Sequence, residues 1–64
     1  MQEWQNRVIN EQYLLEEKAK TLYVFLAGKQ VEALPKEDQE LLMTQYCAMM
    51  VYSSILTQRI NRFN

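Results

Sequence analysis

FLAGKQVEALPKED, residues 25–38, holds the only glycine and the only proline of the chain, Gly28 and Pro35. Glycine is the residue most often found just past a helix end, and proline suits the first position of a helix, where its missing N–H costs nothing. Upstream, nothing between Gln2 and Ala27 breaks a helix. Downstream, Glu37, Asp38 and Glu40 fall in the opening turns and Arg59 and Arg62 in the closing turns, an order of charge that complements the dipole of one unbroken helix. The reading is all-α: an antiparallel two-helix hairpin in a single domain over 1–64, with helix 1 over about 2–27, a connection over 28–34 and helix 2 over about 35–62. Such a connection is of ordinary length for neighbouring antiparallel helices, and Val31 and Leu34 are expected to tuck over the end of the core.

Helix 1 carries apolar residues at Trp4, Val8, Leu15, Ala19, Leu22 and Leu26, with Gln12 in the one gap, at steps of three and four that give a single buried stripe. Its opposite face, with Glu3, Asn6, Asn10, Glu17 and Lys20, reads as solvated. Helix 2 is apolar over a wider arc. Leu42, Met49, Leu56 and Phe63 recur every seven residues, with Tyr52 between them and Leu41, Ala48, Ile55 and Ile60 flanking, a stripe broad enough to cover helix 1. Met43, Cys47 and Met50 lie on the far side of the same helix, and Tyr46–Tyr52 reads YCAMMVY.

A hairpin has nothing to cover that far face, and a large apolar patch on a small protein marks an interaction site. Size points the same way. A domain of 64 residues buries only about 60% of the surface its unfolded chain exposes, and chains this short rely on disulfides, a metal or association. One cysteine and no histidine leave association. The chain is therefore expected to form a homo-oligomer, a helical bundle with Met43, Tyr46, Cys47, Met50 and Val51 in or near the interface. Each large apolar side chain fully buried there is worth roughly 1.5 to 3 kcal/mol.

Several functional classes are disfavoured. No histidine, no glycine-rich loop and a Cys47 set in an apolar run, where it reads as a small buried hydrophobe, leave no nucleophile paired with a base, so the chain is read as a binding protein and not an enzyme. Glu16 and Glu17 point in different directions on a helix and share no substrate. No cofactor or metal site is expected. A formal net charge of -1 gives no general attraction to double-stranded nucleic acid or an anionic membrane. Residues 41–58 carry no charge, yet Thr44, Gln45, Ser53, Ser54, Thr57 and Gln58 make the stretch too polar for a membrane span. The opening MQEWQNRVINEQ lacks the basic-then-apolar order of a secretory signal, and the expected compartment is the cytoplasm.

One charge feature rises above this background. With the bend near Val31, residue 4 comes opposite about residue 59, so Trp4, Arg7, Arg59, Arg62 and Phe63 gather at the open end of the hairpin. All three arginines are there and all four lysines are elsewhere. Planar guanidinium forks beside aromatic rings suit an anionic group such as a nucleotide phosphate; the competing reading is that Arg59 and Arg62 only cap the helix C-terminus.

RVINE at 7–11, LEEKAKTL at 15–22 and VEALPKEDQELL at 31–42, followed by Met49, Tyr52, Ile55, Leu56, Arg59, Ile60 and Phe63, resemble a family of small tailed-phage proteins named after an open reading frame of the crAss-like phages. The resemblance covers most of the chain. It departs in helix 2, where family members carry more charge than MTQYCAMMVYSSILTQ at 43–58. What the resemblance implies is a phage-encoded accessory protein, acting in the host cytoplasm during infection, that inhibits a bacterial defence system by binding a host protein through the apolar surface of helix 2. Two other readings stand beside it: an oligomeric sponge that sequesters a nucleotide immune messenger, and a purely structural small helical assembly.

Overall fold

In the computed structural model, which describes residues 1–63, α1 runs Glu3–Ala27, a single 3-10 turn follows over Gln30–Ala33, and α2 runs Lys36–Asn61. The two helices, of 25 and 26 residues, pack against each other as an antiparallel hairpin, a rod of 46 × 14 × 14 Å. The protein is all-α, as the glycine and proline positions require. No helix among the described residues is long and apolar enough to cross a membrane.

The reversal is built by backbone geometry and not by glycine. Gly28 caps α1 in an extended conformation, φ -89° and ψ -178°, its N–H bonded to the Phe25 carbonyl. It therefore makes no use of the left-handed region that favours glycine, and a Cβ there meets only the Phe25 and Val24 carbonyl oxygens at 3.6 Å. Gly28→Ala is expected to leave the fold intact and to raise stability by about 0.4 to 1 kcal/mol, by narrowing the unfolded ensemble; thermal denaturation followed by circular dichroism reads the difference. Pro35 is the N-cap of α2, one residue earlier than its expected place inside the helix, and its carbonyl accepts from the Asp38 and Gln39 N–H groups. Gln39 Nε2 reaches back to the Leu34 carbonyl at 2.8 Å and ties the first turn of α2 to the connection. Val31 is buried and Leu34 half-buried over the end of the core.

The core is small. Val8, Leu15 and Leu56 form its centre, with Met49, Ile60 and Phe63 packed against them and Ala19 further along the seam. The seam is partly polar: Gln12 Nε2 donates to Thr57 Oγ1 and to the Ser53 carbonyl at 3.3 Å, while Thr57 Oγ1 donates to the same carbonyl at 3.1 Å. Ser53 is buried, its small side chain letting the helices approach.

These contacts set the register. Trp4 meets Phe63, Gln12 meets Thr57 and Tyr23 meets Tyr46, so the midpoint of the hairpin falls at about Leu34 and not near Val31. Residue 59 is thus opposite the second and third turns of α1, and Trp4 lies against Phe63. The cause is the 3-10 turn, which carries the chain past the end of α1 before α2 begins. α2 is also rotated from the expected stripe. Tyr46 and Ser53 turn into the seam, drawn by Tyr23 and Gln12, and Leu41, Ala48 and Ile55, expected to flank the contact with helix 1, are exposed. Cys47, expected as a small buried hydrophobe, is exposed as well.

Candidate functional site

Helix periodicity places Tyr23 and Tyr46 on the same side of the hairpin, one turn beyond the buried Ala19 on α1 and two turns before the buried Ser53 on α2. Their rings lie 5.9 Å apart between centroids, tilted by 41°. Tyr46 is half-buried in the seam while Tyr23 keeps 57% of its surface exposed. Two adjoining grooves meet at this pair. The first, of about 460 Å³, is apolar apart from Gln39 and runs toward the bend between Leu26, Ala27, Val31, Met43 and Cys47. The second, of about 320 Å³, runs toward the open end between Glu16, Ala19, Lys20, Met50 and Ser53. Both volumes fall in the range that small-molecule sites occupy. The chemistry they offer is an aromatic platform with one cation, one carboxylate and an amide close by.

Of the residues expected at an interface, Met43, Tyr46 and Cys47 line the first groove, and Tyr46 and Met50 line the second. Val51 is exposed and lies further round the outer surface of α2, away from both grooves.

The open end brings together Trp4 and Phe63, whose rings meet edge to face at 5.2 Å and 81°. Trp4 Nε1 donates to Gln2 Oε1 at 3.2 Å. Arg7, one turn after Trp4, Arg59, in the last turn of α2, and Arg62, the C-cap residue that follows it, are all exposed. A third groove, of about 440 Å³ between Leu14, Lys18, Gln45 and Met49, marks the face of the hairpin opposite the tyrosines. Arg7 stands two turns before Leu14 and Arg59 four turns after Gln45, so both continue that opposite face. Arg7 and Tyr23 are also sixteen positions apart on one helix, about 24 Å along its axis. Within one chain, the arginines and the tyrosine platform are therefore two separate places, and a single nucleotide cannot use both.

Tyr23 escaped the sequence reading. Its signal was available in the spacing: it lies four residues after Ala19 and one before Val24, at the margin of the buried stripe, where an amphipathic ring is half covered. Nothing in the sequence of α1 alone said that Tyr46 would meet it.

The model of the Sequestin family matches residues 2–62, nearly the whole chain. No curated protein and no solved structure matches it.

Proposed function

This chain belongs to the Sequestin family, and on that premise we propose that it works by sequestration, holding a small signalling molecule out of circulation without altering it. The ligand class that fits the tyrosine grooves is a nucleotide messenger. Its base stacks on Tyr23 beside Tyr46, Lys20 meets its anionic part, and Glu16 accepts hydrogen bonds from sugar hydroxyls. Stacking on an aromatic ring is sequence-tolerant and contributes about 1 to 3 kcal/mol per base. The observation that carries this reading is the exposed Tyr23 ring, held against Tyr46 at the meeting point of two ligand-sized grooves. In the phage setting that the sequence resemblance implies, the messenger is a host immune signal and its removal blocks the defence it switches on. Inhibition of a host protein through the apolar surface of α2 is the competing reading; the family's name, which speaks of sequestering, and the small-molecule scale of the grooves favour the messenger.

The test is a titration. The protein is added to a reaction in which a nucleotide messenger activates its effector enzyme. Inhibition should rise in proportion to the protein until its binding sites equal the messenger, and heating the mixture should release messenger that still activates. Loss of signal at a small fraction of the messenger concentration, with nothing recovered on heating, would make the protein an enzyme. Inhibition that titrates with the effector would make it an inhibitor of that protein.

A further inference from the structure

Gln39 brings an amide into the otherwise apolar first groove, and the fold fixes which way that amide is turned. Its Nε2 donates to the Leu34 carbonyl at 2.8 Å. A backbone carbonyl can only accept, so the nitrogen has to face the connection and cannot change places with the oxygen. Oε1 is left over: among the described residues nothing donates to it. Gln39 is half-buried, and no half-buried residue among those described has a side-chain oxygen both closed off and unpartnered, so Oε1 is open to what enters the groove. A bare acceptor between walls such as Leu26, Val31 and Met43 selects for a donor and against a second acceptor.

The place of this acceptor relative to the tyrosines says what the donor is. Tyr46 and Gln39 are seven positions apart on α2, two turns along one face and about 10 Å along the axis. In the nucleotide pose proposed above, on which this step rests, sugar and phosphate lie toward Glu16 and Lys20 in the second groove. The far edge of the base then points along the first groove toward the bend. A two-ring purine stacked on Tyr23 carries the group on that edge out to Gln39, whereas a one-ring pyrimidine falls short. In adenine the group is N6, an amine that donates; in guanine it is O6, an acceptor that meets the Gln39 oxygen head on. Guanine can bring its ring N–H to Oε1 only by turning in its own plane, which takes part of the base off Tyr23.

We infer that Gln39 is the residue that determines base specificity in the tyrosine grooves: its Oε1, aimed by the bond from Nε2 to the Leu34 carbonyl, accepts from the exocyclic amine of adenine. The sequestered molecule is then an adenine nucleotide, bound with its base toward the bend and its phosphate toward Lys20.

The isotopically labelled full chain, titrated by NMR with AMP, with GMP and with the monophosphate of purine riboside, which has hydrogen in place of the amine, tests the assignment. AMP should bind about three- to tenfold more tightly than the other two and should move the Gln39 side-chain amide signal together with the Tyr23 ring signals. In Gln39→Met the three should bind alike, because AMP loses its advantage while the other two change little. A Gln39 that only ties the first turn of α2 to the connection would lower all three in step, and that pattern would overturn the inference. The wild-type ratio needs no variant: equal binding of AMP and the purine riboside monophosphate at Tyr23 would remove Gln39 from base recognition and leave stacking intact. Tyr23 signals that ignore all three nucleotides would overturn the nucleotide reading itself, and this assignment with it.

Discussion

Leu56→Ala is expected to lower the free energy of unfolding by about 2 to 5 kcal/mol, the cost of removing a large side chain from a site that cannot collapse around the loss. Leu56 is 1% exposed and forms the central apolar cluster with Val8 and Leu15 of α1, against which Met49, Ile60 and Phe63 pack. In a chain of 64 residues, whose total stability is on the order of 3 to 10 kcal/mol, such a change removes about half of it or more. Urea denaturation followed by circular dichroism, at matched protein concentration for both variants, gives the difference. Val24→Ala is the control: Val24 is 65% exposed on α1 and belongs to neither the core cluster nor a groove, so its loss should cost little. A Leu56→Ala variant less than about 1 kcal/mol below wild type would mean that the hairpin is not held together at this cluster.

Tyr23→Ala is expected to weaken nucleotide binding by about 5- to 150-fold, the equivalent of losing one stacked base. Tyr23 projects from the solvent side of the seam, so the fold should survive, with the circular dichroism spectrum unchanged. Tyr23→Phe keeps the ring and should bind nearly as wild type. Tyr13→Ala should be silent, because Tyr13, although also an exposed tyrosine of α1, borders neither groove. Isothermal titration with the messenger that the protein neutralises gives all three values. A contrary pattern is equally readable: binding that ignores Tyr23→Ala but falls in Arg7→Ala together with Arg62→Ala would move the ligand to the open end, beside Trp4 and Phe63.

The comparison of sequence with structure separates two kinds of information. Gly28 and Pro35 marked the break, the charge order of residues 37–62 marked one continuous second helix, and the stripe of helix 1 named Val8, Leu15 and Ala19 as buried. These are local signals and each follows from backbone chemistry. The seven-residue line Leu42, Met49, Leu56 and Phe63 was legible as the side of helix 2 that faces helix 1, with Leu56 buried and Met49 and Phe63 packed against the core; which residues flank that line was not, because the helix is apolar around most of its circumference. The choice was made by polar and aromatic contacts across the seam, Gln12 with Ser53 and Thr57, and Tyr23 with Tyr46. A buried serine has no hydrophobic signature, and its value lies only in how close it lets the partner helix come. The register was missed for a related reason: a 3-10 turn and a helical overhang move the midpoint of the hairpin by about three residues, and no single residue announces either. The tyrosine platform depends on both of these unreadable features, so it could be found only in the folded chain.

Sequestration is tested most directly by native mass spectrometry of the protein taken straight from cells in which a nucleotide immune signal is being made. A protein that holds such a signal should carry an added mass equal to whole molecules of one nucleotide, the adduct should leave unaltered when the protein is denatured, and Tyr23→Ala from the same cells should come out bare. Wild-type protein that emerges from signalling cells with no bound small molecule, while the free messenger remains at its usual level, would contradict it.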